Sequence, residues 1–118
     1  MSINISIKDK KLIKQHHYIL KKLASSSPAQ RKKILANAPD ALFKAINAII
    51  KLVVKNKLQI SKKQQHKLYR HKKLLSSVSG LKNVKSVKNK LRNQRGGFIP
   101  ALIAAALPAI TSLIGNLF

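Results

Sequence analysis

Between Lys10 and Leu23, the positions Leu12, Ile13, His16, Ile19, Leu20 and Leu23 recur three and four apart, the period of one face of an α-helix. Ahead of them, "SINISI" at 2–7 alternates polar and apolar residues as a strand does. A lone strand has nothing to pair with, so residues 1–9 are expected to be a flexible arm. "SSSP" closes the first helix and opens a second at about 28–37. Ser27 can cap free backbone N–H groups, and Pro28 suits the first helical position, where its missing donor is not needed. Pro39 opens a third helix, with Asp40 well placed in its first turn against the helix dipole.

That third helix, "PDALFKAINAIIKLVVKN", is the most apolar part of the body. Leu42, Phe43, Ile46, Ile49, Ile50, Val53 and Val54 cover a wide face and leave Lys44, Lys51 and Lys55 outside, so it is expected at the centre of the core. A fourth helix starts at Ser61, where "SKKQ" reads as a capping box with Gln64, and turns Leu68, His71, Leu74, Leu75 and Val78 inward. "SSVSG" at 76–80 reads as a break. Beyond it Leu81, Val84, Val87 and Leu91 are spaced for a helix, but the intervening charges repel, so this segment is expected to become helical only on contact with a polyanion or a membrane.

These patterns predict an all-α protein in four parts. A flexible arm (1–9) precedes a small bundle of about four short helices (10–78); a basic linker or conditional helix ending in Gly-Gly (79–97) leads to a separate apolar C-terminal helix (98–118). A chain of 118 residues supports one small domain, and a body this short has a marginal core that its partners are expected to help fold.

Charge narrows the partner. The 21 Lys and 4 Arg face only Asp9 and Asp40, giving a net charge of +23. Self-repulsion on that scale calls for a polyanion: nucleic acid first, an anionic membrane surface second. From Lys55 to Arg95 fourteen cations occur with no acid. The expected phosphate-binding set is Lys62, Lys63, Lys67, Arg70, Lys72, Lys73, Lys82, Lys85, Lys88, Lys90, Arg92 and Arg95. Lysine is a flexible point charge, poorly suited to bidentate base reading, and Tyr69 is the sole aromatic of that region. Binding to double-stranded DNA without sequence preference, driven by counterion release, is therefore the expectation.

Other chemistry finds little support. The absence of cysteine removes disulfides, thiolate metal sites and cysteine nucleophiles. His16–His17 are adjacent and His66 and His71 five apart, so neither pair aligns two ligands on one helical face; no metal and no cofactor are expected, and His16 and His71 are placed at the core edge. Two isolated aspartates make no paired-carboxylate site and no glycine loop suits a nucleotide, so no enzyme is expected. The N-terminus lacks the order of a signal peptide, which points to an intracellular protein.

The stretch from Phe98 to Phe118 has no charge at all. Its 21 residues would reach about 31 Å as a helix, but Pro100 and Pro108 interrupt it. Docking to capsid protein or to a membrane is the expectation, through Phe98, Ile99, Leu102, Ile103, Leu107, Ile110, Leu113 and Ile114. The rival reading is a membrane-active or membrane-anchored basic protein that binds anionic lipid.

"RGGFIPALIAAALPAI" resembles the C-terminal part of the adenovirus late core protein mu family, whose precursor is called X. That family joins a cationic DNA-condensing segment to an apolar, alanine-rich tail through Arg-Gly-Gly, and a viral cysteine protease cuts after the glycines. The resemblance implies a cleavage site at Gly96, Gly97 and Phe98, although the position two before the first glycine, apolar or Asn in the family, is Gln94 here. "SPAQRKKILANAPDALFKAI" and "ISKKQQHKLYRHKKLL" are similar to small basic proteins of adintoviruses and Polinton-type elements. Together these resemblances imply a genome-condensing minor core protein of a DNA virus or virus-like element, located in the virion and the host nucleus, with a maturation protease among its partners.

Overall fold

A computed structural model describes residues 7–55, 60–81, 83–92 and 98–114, with side chains as far as Ile110 in the last segment. The described residues form eight helices: α1 (Ile7–Gln15), α2 (His17–Ala24), α3 (Pro28–Ala36), α4 (Asp40–Val54), α5 (Lys62–Tyr69), α6 (Lys72–Ser79), α7 (Val84–Arg92) and α8 (Phe98–Ile114). The all-α class is as expected; the count of about four is not. Residues 1–6 of the expected arm lie outside the described residues, while Ile7–Asp9 form the first turn of α1.

Local signals set the helix starts. Ser27 Oγ accepts the Gln30 backbone N–H at 3.2 Å, and Gln30 Oε1 accepts that of Ser27 at 3.0 Å, so α3 begins with a complete capping box and Pro28 at its first position. At α5, Ser61 Oγ accepts from Gln64 N at 3.3 Å. The third predicted helix is α4, with Leu42, Phe43, Ile46, Ile49 and Ile50 essentially inaccessible to solvent.

The extra helices arise because two predicted helices are each broken once, at a histidine. His16 and His71 have nearly the same backbone conformation, φ −106°, ψ 13° and φ −110°, ψ 19°. This is the bridge region, where a helix changes direction without ending its hydrogen bonding. At His16 the ring Nδ1 and the backbone N–H both lie against the Leu12 carbonyl, at 2.8 and 3.2 Å. The break serves packing: α1 lies on α4 whereas α2 lies on α8, and in the second broken pair α5 lies on α8 whereas α6 lies on α4. Each amphipathic stretch thus divides its apolar stripe between two core helices. The predicted break at 76–80 falls later, since α6 runs through Ser79 and Gly80 caps it.

The separate C-terminal helix is corrected: α8 is the second core helix, packed on α2, α5 and α4. Phe98, Ile99, Leu102, Ile103, Leu107 and Ile110 are all buried. Pro100 sits in the first turn, where backbone N–H groups have no helical partner in any case. Pro108 removes the N–H that would meet the Ala104 carbonyl, but both residues are exposed, so water can take that carbonyl. The apolar tail is buried for an elementary reason: the small bundle has no other surface to match the stripes of α2 and α5.

Replacing Leu102 by Ala is expected to destabilise the fold by about 2–5 kcal/mol, and ending the chain at Arg95 to abolish cooperative unfolding. Thermal melts followed by circular dichroism check both, with exposed Ala104→Ser as the neutral control.

Candidate nucleic-acid interface

The α5–α6 pair orders its charges by keeping its apolar side down. Leu68, Leu75 and Val78 are buried, which turns Lys62, Lys63, Lys67, Arg70, Lys72 and Lys73 outward; all six are exposed. At the bend between the helices, Tyr69 stands 67% exposed with Lys72 Nζ 5.3 Å from its ring centroid. Tyr69 to Leu74 enclose a shallow hollow of about 430 Å³ with Arg70, Lys72 and Lys73 on its wall. His71 anchors this bend from below: it is half-buried, its ring edge on Phe98 at 5.3 Å and 67°. These cations and one aromatic are all exposed on the α5–α6 pair, a set whose charges suit the phosphates of a nucleic-acid backbone.

The remaining predicted cations are not equivalent. α7 is a docked helix in the free chain rather than a conditional one, with Val87 and Leu91 buried and contacts to α4 and α3. Lys88 Nζ meets Asp40 Oδ1 at 3.1 Å. Arg92 donates from Nε to the Leu35 carbonyl at 3.1 Å and from its terminal nitrogen to the Ala36 carbonyl at 3.0 Å, closing the last turn of α3. Both cations also lie over the Phe43 ring, at 5.9 and 5.6 Å from its centroid. Lys88 and Arg92 therefore hold α7 in place, whereas Lys85 and Lys90 are exposed. Lys82 and Arg95 lie outside the described residues.

Sequence reasoning confined to 55–95 passed over Lys21 and Lys22 on α2 and Lys32 and Lys33 on α3, all exposed. The scarcity of acids anywhere in the chain was the signal that the positive surface extends beyond one segment.

Of the docking residues predicted in the tail, Phe98, Ile99, Leu102, Ile103, Leu107 and Ile110 belong to the core, so they can meet a capsid or membrane only if α8 leaves it. The side chains of Leu113 and Ile114 lie outside the described residues, as do Gly96 and Gly97 of the cleavage site, whose Phe98 is 1% exposed. No described helix is long and apolar enough to cross a membrane. His16, like His71, is half-buried, and no group of three metal-ligating side chains occurs among the described residues.

His17, at the start of α2, has its pKa lowered from the usual 6.5 by burial and, secondly, by the charge of Lys21 one turn on. The unfolded chain therefore takes up this proton first. Stability contributed here is full above pH 6.5, falls as pH drops towards the depressed folded value, and then levels off. Melting temperatures at pH 7.5 and 5.5 check this: His17→Gln is expected to lose less stability on acidification than the parent.

Arg92→Ala should lower stability by about 1–3 kcal/mol, because the last carbonyls of α3 lose their donor; Lys63→Ala should change it by less than about 0.5 kcal/mol. Urea titration of the two variants makes the comparison.

Comparison with protein-family models, with curated proteins and with solved structures finds no match for this chain.

Proposed function

We propose that the protein binds nucleic acid, double-stranded DNA foremost, without sequence preference, by neutralising backbone phosphates with lysine. The observation that carries this reading is the exposure of six cations on α5 and α6, with no acid among them. Each can reach a phosphate without breaking a contact that holds the fold, unlike Lys88 and Arg92. Lys85 and Lys90 on α7 extend the set, and Lys82 and Arg95 belong to the proposal on charge alone. Condensation follows from the same physics, since a body positive on several sides can bridge separate duplex segments.

The resemblance to the adenovirus mu family supports a narrower version: a minor core protein of a DNA virus or virus-like element, cut at Gly97–Phe98 by a maturation protease. The alternative, binding to anionic lipid, shares the cations but asks α8 to give up its buried side chains for a membrane. Burial of those side chains favours nucleic acid as the partner of the folded chain.

A salt titration of the full-length chain on duplex DNA tests the reading. Six phosphate contacts predict a slope of log K against log salt of about −5, and a loss of about a thousandfold in affinity between 50 and 200 mM salt. Replacing Lys62, Lys63 and Lys67 together by Gln should lower the slope by about 3 and weaken all sequences alike. Duplex affinity indifferent to salt, or vesicles of anionic lipid outcompeting DNA with release of their contents, would overturn it.

A further inference from the structure

Two hollows of different character meet at the α5–α6 bend, and Tyr69 and Lys72 line both. One is the cationic hollow with Arg70 and Lys73 on its wall. The other, of about 380 Å³, is mainly apolar: Val53 and Val54 at the end of α4, Ile60 ahead of α5, and the buried Leu68 and Leu75. Its volume lies within the range of about 300–1,000 Å³ typical of small-molecule sites. The surface it offers is within reach of a ligand. Val54 is 43% exposed, and Tyr69 is 67% exposed even with Lys72 beside its ring. His71, seated on Phe98 beneath the bend, holds this arrangement to the core.

Phosphate binding by the α5–α6 cations uses neither the tyrosine ring nor the apolar cleft. A paired base offers them nothing, because its faces lie inside the duplex stack. An unpaired base has a free face, and stacking on an aromatic ring beside cations that follow the backbone is how single strands are held. The two hollows match the two halves of one nucleotide in a strand, a flat apolar base and its anionic phosphates, and Lys72 belongs to both. We infer that the apolar cleft receives an unpaired base of a single-stranded nucleic acid, stacked on Tyr69, with the flanking phosphates on Arg70, Lys72 and Lys73. This rests on the reading that the α5–α6 cations hold phosphates, and it adds a contact that tells unpaired strand from paired. Gln65 and Ser76 complete the lining. Each carries both donor and acceptor, so the site does not choose among the bases.

Two strands with the same phosphates, an oligodeoxyadenylate and an abasic strand of equal length, isolate the contribution of the base on the full-length chain. Fluorescence anisotropy of the labelled strands is expected to show the oligodeoxyadenylate binding at least about fivefold more tightly. Tyr69→Ala should remove that difference and leave abasic-strand and duplex affinities unchanged, whereas Tyr69→Phe should keep it. The chain has two tyrosines and no tryptophan, so in Tyr18→Phe the emission of Tyr69 is followed alone. It is expected to be quenched by the oligodeoxyadenylate and not by the abasic strand. Equal affinity for the two strands, unquenched Tyr69, or a preference that survives Tyr69→Ala would overturn the inference. Phosphatidylserine vesicles that shift Tyr69 emission while the oligodeoxyadenylate leaves it unmoved would assign the cleft to lipid instead. A shift that depends only on protein concentration would assign it to a second copy of the chain, and overturn the inference equally. Salt-dependent duplex binding that persists through such a failure removes the cleft alone; if neither duplex nor abasic strand binds, the phosphate reading falls with it.

Discussion

Burial of α8 against α2 and α5 is the interaction on which the rest of the structure depends. A chain with a net charge of +23 repels itself, and only removal of apolar surface from water can outweigh that repulsion. α4 supplies one wide apolar face; α8, free of charge along its whole length, supplies the other. The breaks at His16 and His71 follow from having two such helices, because a straight amphipathic helix could serve only one of them. Charge and hydrophobicity, so sharply separated along the sequence, become shell and centre in space.

The positive side chains consequently divide into two kinds. Lys88 and Arg92 point back to the body, to Asp40, to the end of α3 and to the face of Phe43, and so fasten a helix that its own charges would otherwise keep from forming. The cations of α5 and α6 have no such inward employment and stand in solvent. What separates the two kinds is whether a backbone carbonyl or a carboxylate of another helix lies within reach.

Features carried by neighbouring residues were legible in the sequence. The Ser27 cap with Pro28, the extent of α4 and the outward turn of Lys62, Lys63, Lys67, Arg70, Lys72 and Lys73 follow from local residue types and from spacings of three and four. What was not legible depends on distant partners. Nothing around His16 or His71 announces a bend, since each bend answers to α4 and α8, far away in the chain. α7 was expected to await a polyanion because Asp40 and the α3 carbonyls lie about fifty residues away from Lys88 and Arg92. The tail was expected to stand apart because a charge-free run looks the same whether it enters a membrane, a partner or its own core.

The position of α8 changes what severing the backbone just before Phe98 would accomplish. The two pieces interlock over Phe98, Leu102, Ile103 and Ile110, so a cut there would convert one polypeptide into a noncovalent pair rather than liberate a peptide. Such a nicked molecule would be metastable. Its apolar helix, no longer tethered, could be withdrawn by a competing surface, and its departure would strip α2 and α5 of the face they pack on.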